Sequence, residues 1–252
     1  MAVEEYKRAI THQNYGAGQA GLEQYHHRVY KEITERPKGL TLESVRKKRN
    51  FTKATDTYML MVHGATVAPI WGGGVAFIMV LIFLTHLGEE MIFFEWLVFG
   101  ISCITTIYFA IYYFRMPKKE SILNRQDGLV TIPGFYYQPN STMRFADALF
   151  SYSTGGEDAM GAFKLQIIRP TKGYTFYFFS VGWGCYADIS LITWYMDKNR
   201  PLPPGDAFDA YRQQDYERRK AEGFPKPLYP STIPTPEATP EQQAERKRIG
   251  GW

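Results

Sequence analysis

The sequence predicts a membrane protein: a two-helix transmembrane hairpin followed by a small cytoplasmic α+β domain, an antiparallel sheet capped by a helix. Three observations predict it. No Asp, Glu, Lys or Arg occurs from Thr57 to Gly88. A second uncharged run, Trp96 to Phe114, follows a short interruption that carries only acids, Glu89, Glu90 and Glu95. Beyond Pro117 the pattern changes to short β-branched and aromatic runs separated by Gly and Pro turns. The mean hydropathy of -0.30 would pass for a soluble chain. It averages an apolar block with a polar remainder, so spans must be sought window by window.

Residues 1–56 read as a polar cytoplasmic N-terminal segment with weak helical patterning. Its start, Met1 to Glu5, has no basic and apolar leader pattern, so no cleavable signal peptide is expected. His12, His26 and His27 have no metal-ligand spacing to a cysteine. The two cysteines, Cys103 and Cys185, lie in different predicted environments, which argues against a disulfide framework and a cysteine zinc site.

Residues 57–116 are expected to form the hairpin, with spans at about 66–87 and 92–114; about 20 apolar residues cross a bilayer as a helix. A lone segment in lipid satisfies its backbone only as a helix. Arg46, Lys47, Lys48 and Arg49 precede the first span, and Arg115, Lys118 and Lys119 follow the second. The turn between has no Lys or Arg, so the positive-inside rule puts both ends in the cytoplasm. The same basic residues suit anionic lipid headgroups, at about 1 kcal/mol each near the surface. Gly72, Gly73 and Ala76 give the first span a close-packing face, for the second span or for another copy of the chain. No charge lies near either span's centre, which argues against a pump or a voltage sensor.

Residues 117–205 are expected as the cytoplasmic domain, with strands at Gly128–Ile132, Arg144–Tyr152, Ala162–Arg169 and Tyr174–Val181. Asp188 then caps a helix carrying Ile189, Ile192, Tyr195 and Met196 at helical spacing. This order resembles the later half of pleckstrin-homology-like folds. Residues 206–252 read as a charged helix and a proline-rich tail, extended or disordered, serving as a linker or as the ligand of a proline-binding module.

The chain has no Walker loop, no GxGxxG after a strand, no HExxH and no GxSxG. No histidine follows His86, so the cytoplasmic domain has no histidine base, and Cys185 has no such partner. No catalytic residue, metal or cofactor is expected, and the protein reads as a non-enzyme. Net charge is +4, and the aromatic residues alternate with apolar rather than basic ones, which argues against nucleic acid. Protein binding is the remaining expectation. Phe135, Tyr136 and Tyr137 follow a Pro-Gly turn, and Trp183, Tyr186 and Trp194 are of the types enriched at binding hot spots, although each is also legible as core.

The order of segments resembles a family of bacterial two-pass inner-membrane proteins encoded beside type VI secretion effectors. The likeness rests on a polar N-terminus, a hairpin, LNRQDGLV (Leu123–Val130) entering a sheet, and ISLITWYMDKNRPLP (Ile189–Pro203) as a closing helix. It implies residence in the bacterial inner membrane and an accessory or immunity role, as in toxin–antitoxin pairs, binding an effector toxin or a secretion component. The alternative expectation is a membrane-structural or channel-like subunit, a homo-oligomer assembled through the hairpin.

Overall fold

The computed structural model describes residues 5–15, 26–64, 67–86, 90–135, 137–153, 164–170, 178–182 and 184–252. In chain order they form β1 (His26–Val29), α1 (Leu42–Arg46), β2 (Phe51–Ala54), β3 (Tyr58–Met61), α2 (Val67–Thr85), α3 (Phe93–Arg115), β4 (Ile122–Asn124), β5 (Leu129–Ile132), β6 (Ser141–Arg144), β7 (Phe150–Ser153), β8 (Leu165–Ile168), β9 (Phe178–Gly182), α4 (Cys185–Met196), a 3₁₀ turn (Asp206–Phe208), α5 (Asp209–Ala221) and α6 (Pro240–Gly250). Two compact units result. The first comprises Met1–Val62, Glu120–Ile132 and Ser141–Trp252; the second comprises His63–Lys119 and Pro133–Asn140.

In the first unit, alternation sorts the side chains of a five-stranded antiparallel sheet, ordered β2-β3-β4-β5-β6. The register Met59↔Leu123↔Val130↔Met143 places those four on one face, and all are buried. The N-terminal segment covers the sheet elsewhere. Tyr6 stacks on Tyr58 at 4.7 Å, and the Thr11 and His12 amides donate to Thr142 O, closing the β6 edge. A second antiparallel sheet, β1-β7-β8-β9, turns Val29, Phe150 and Ile167 into the same core. Between β4 and β5 the chain reverses at Asn124–Gly128. The Asn124 side chain bonds to Asp127, and Gly128 takes φ +66, which a side chain would disfavour.

α4 is buried from Ile189 through Met196 without interruption. A helix apolar on all sides belongs inside a protein. Its polar members find partners there: Ser190 Oγ accepts the Thr34 and Glu35 amides, and the Tyr195 hydroxyl donates to Thr55 O.

Charge then joins the C-terminal third to the sheets. Arg125, 1% exposed, donates to Tyr195 O, Arg200 O and Asp215. Asp215 also accepts from Arg219, which grips Glu237 with both terminal nitrogens at 2.7 and 2.8 Å. Arg246 reaches the same Glu237 at 3.1 Å. Asp197 accepts the Leu228 and Tyr229 amides, and Arg200 donates to Tyr229 O and Thr235 Oγ1. Burial pushes the Asp197 carboxyl up, against these hydrogen bonds. The proline-rich tail is thus ordered over the body, because Asp197 and Arg200 just after α4 and Arg246 on α6 satisfy its backbone, while Arg219 on α5 pairs with its Glu237.

In the second unit α2 and α3 pack together. Phe109 lies against Gly72 and Gly73; a Cβ on Gly72 would stand 2.7 Å from its ring. Glu95 accepts the Ile92 amide and sits at the positive end of α3. The outward side chains are apolar and open: Trp71 and Ile104 are each 70% exposed, and Phe114 is 83% exposed.

The expected fold class is therefore corrected. The protein is a mixed α/β fold with two antiparallel sheets, not a transmembrane hairpin with a small helix-capped sheet domain. Among the described residues only Phe93–Arg115 is long and apolar enough to cross a membrane; the apolar stretch of α2, Pro69–Thr85, is shorter. The uncharged run from Thr57 misled because its first part, Tyr58–Met61, is β3, so apolar content that reads as membrane belongs to a sheet core. Residues 1–56, expected as a polar segment, supply β1 and β2, four-residue strands too short to show alternation. The later-half pleckstrin-homology-like pattern fails for the same reason: the strands after Pro117 divide between two sheets completed from the N-terminus.

Burial pushes the Asp215 carboxyl up, but the Arg125 and Arg219 guanidiniums outweigh it and hold the group below the usual carboxylate range. A carboxyl depressed in this way stabilises the fold above its unfolded pKa, about 3.9, and loses that contribution as pH falls through the lower folded value. Asp215→Asn removes the carboxylate that Arg125 faces, while Arg219 keeps Glu237, and should cost about 3–5 kcal/mol at neutral pH in denaturant unfolding. The variant should also lose stability less steeply than the wild type as pH drops below about 4.

Candidate functional site

A cleft of about 410 Å³ opens in the first unit, lined by Asp56, Thr57, Arg125, Gln126, Lys198, Gln214, Arg218 and Glu222. Two turns meet to build it. Between β2 and β3, Thr55 Oγ1 accepts the Thr57 and Tyr58 amides and fixes Asp56 at the bend. Thr57 O then accepts the Arg125 and Gln126 amides at 2.9 and 3.4 Å, tying this turn to the β4–β5 turn. Arg125 forms the floor, held by carbonyls at the end of α4 and beyond it. Lys198 follows α4, and α5 supplies the far wall. There Arg218 donates to Lys198 O at 2.7 Å, to Asp215 at 2.9 Å and to Glu222 at 3.1 Å.

Most of these charges are matched. Arg125 and Arg218 share Asp215, and Glu222 is held by Arg218. Two are not. Among the described residues the Asp56 carboxylate forms no ion pair; its own backbone amide donates to it. The Lys198 ammonium reaches only Gln126 O, at 3.5 Å. Burial pushes the Asp56 carboxyl above its ordinary value, with Asp215 adding to the rise while Arg125 and Arg218 oppose it. The cleft thus offers one uncommitted anion and one uncommitted cation, with amide and hydroxyl groups between. Its lining holds no histidine, cysteine or serine. A carboxyl with a raised pKa is a candidate acid or base, but no second group of that kind faces it here. Among the described residues no group of three His, Cys, Asp or Glu could hold a metal.

No protein-family model, curated protein or solved structure matches the chain.

The residues expected to bind a partner are dispersed. Trp194 is buried and donates to Pro201 O at 2.7 Å, which makes it a core residue. Tyr186 is 45% exposed and meets Tyr152 edge-on. Phe135 and Tyr137 belong to the second unit, where Tyr137 packs edge-on against Tyr112 at 5.1 Å. Tyr136 and Trp183 lie outside the described residues. Gly72, Gly73 and Ala76 face inward, the two glycines against Phe109. Arg46, Lys47, Lys48, Arg49, Arg115 and Lys118 are exposed. Lys119 departs from its expected headgroup role: it is buried and donates to Gly134 O and Gln138 O, two carbonyls that the Pro133–Asn140 loop leaves without strand partners.

Sequence reasoning did not find the cleft, although both motifs it singled out end there. LNRQDGLV supplies Arg125 and Gln126, and the DKNRP end of the second supplies Lys198. The signal available was a charged or amide residue at each turn, a position where side chains converge. Trp194→Ala should cost about 3–5 kcal/mol of stability in denaturant unfolding. Tyr186→Ala should shift it by no more than about 0.5 kcal/mol, as suits a surface side chain.

Proposed function

We propose that the protein is a membrane-anchored, non-enzymatic binding protein that holds a charged segment of a protein partner in the cleft between Asp56 and Lys198. The observation that carries this reading is the pair of uncommitted opposite charges in a solvent-open polar cleft. Such a pair gains when a partner supplies the complementary charges, and it selects against partners that do not.

The anchor is α3. Only 11% of its most apolar window is buried inside the protein, unlike the core helix of a soluble fold. Its apolar side chains, Ile101, Ile104, Ile107 and Phe114 among them, stand open rather than packed inside, and a contiguous open apolar surface marks a membrane or partner contact. Arg115 and Lys118 at its C-terminal end support a cytoplasmic side for that end under the positive-inside rule. The resemblance of the LNRQDGLV and DKNRPLP segments supplies the partner class: a type VI secretion effector toxin or secretion component, met at the bacterial inner membrane in an immunity or accessory role.

Membranes washed in alkaline carbonate should retain the chain; its release into the supernatant removes the anchor. Tagged protein purified in detergent from its host should carry a stoichiometric protein identified by mass spectrometry. Asp56→Asn combined with Lys198→Gln should lower that recovery about 10-fold or more without changing thermal stability, equivalent to about 1.4 kcal/mol of binding. Unchanged recovery in the double variant rejects the cleft as the binding site.

A further inference from the structure

The chain leaves the first unit for α2 after β3 and re-enters it at β4, and those strands are adjacent. The Met61 amide donates to Ser121 O, and the Val62 amide donates to Asn50 O, each at 2.9 Å. Asn50 therefore stands at the end of the sheet where the chain exits and returns, directly after the basic run Arg46–Arg49. Arg46, Lys48 and Arg49 are exposed and have no carboxylate partner among the described residues, and Lys47 is engaged by Glu43 at 2.5 Å. Leu42 is 50% exposed and shares a face of α1 with Arg46, four residues on.

From Arg115 to Ser121, and from Val62 to Val67, an extended chain covers at most about 20 Å. An anchored α3 therefore keeps this end of the sheet close to the bilayer surface, whatever the orientation of the body. Uncompensated cations beside an exposed leucine are the composition of a membrane-surface contact: the cations meet phosphates and the apolar side chain enters the headgroup boundary.

We infer that Arg46, Lys48 and Arg49, with Leu42 beside them, form a docking patch for the phosphodiester headgroups of anionic phospholipid. The patch rests on the anchor reading. It sets the distance between the bilayer and the cleft, so the cleft is presented at the membrane surface rather than on a free tether. Three cations at the surface contribute about 1 kcal/mol each, enough to change the exposure of the segment measurably.

The test is hydrogen–deuterium exchange of the full-length chain in lipid nanodiscs, either phosphatidylcholine alone or with phosphatidylglycerol mixed in. Amides of residues 42–53 should exchange about threefold slower or more when phosphatidylglycerol is present. High salt, or the triple variant R46Q/K48Q/R49Q, should abolish the difference. Equal exchange in both lipids, with α3 amides protected throughout, overturns the patch and leaves the anchor standing. Carbonate extraction of the chain, with α3 amides unprotected in the discs, shows that the anchor itself has failed, and the patch with it. Equal slowing by millimolar inorganic phosphate in neutral discs assigns the residues to free phosphate and overturns the lipid docking.

Discussion

The first unit depends on the burial of Arg125. A guanidinium 1% exposed would be prohibitively unfavourable unless every donor met an acceptor and its charge met a countercharge. Here the acceptors come from three separate stretches of chain: Tyr195 and Arg200, at and beyond the end of α4, Asp56 in the β2–β3 turn, and Asp215 on α5. Satisfying one side chain therefore fixes the mutual positions of both turns and two helices. Asp215 passes the constraint on to Arg219, Glu237 and Arg246, which carry it into the C-terminal tail. A buried ionic chain of this kind contributes less net stability than an apolar core of the same volume, but it specifies one arrangement, since any other strands a charge.

The candidate cleft is a consequence of the same constraint. The turns that converge on Arg125 bring their exposed residues, Asp56 and Gln126, to a common rim, and α5 adds Gln214, Arg218 and Glu222. A binding surface built on neutralised charges is rigid without being apolar. Its two groups without an ion pair among the described residues, Asp56 and Lys198, touch only backbone: the Asp56 amide and Gln126 O. The proposed roles of cleft and basic patch are complementary. One selects a partner by charge, and the other sets where the selection takes place.

The second unit obeys a different rule. Its interior contact centres on Phe109 over Gly72 and Gly73, with Phe83 against Phe99 and with Ala76, Ser102 and Tyr112 buried. In water, two helices with so many open Ile, Phe and Trp side chains would associate without specificity. Glycine at these positions is decided by the Phe109 ring, which leaves no room for a Cβ at Gly72.

The sequence by itself determined which residues avoid water and which turns are obligatory. The uncharged run Trp96–Phe114 lies within α3, Gly128 ends the Asn124–Asp127 turn, and the charged helix read after residue 206 is α5. These are local properties, set by composition and backbone conformation within a few residues. Only the tertiary structure decided that Tyr58–Met61 is sheet core rather than membrane, that α4 is a central helix rather than an amphipathic cap, and that the proline-rich tail is ordered. Each of those depends on partners distant in the chain: Leu123 for Met59, Thr34 and Glu35 for Ser190, Asp197 for Leu228 and Tyr229. The cleft was illegible for the same physical reason. Its charges come from four segments, and whether a given Asp, Lys or Arg is matched or free is a property of their meeting, which no local pattern encodes.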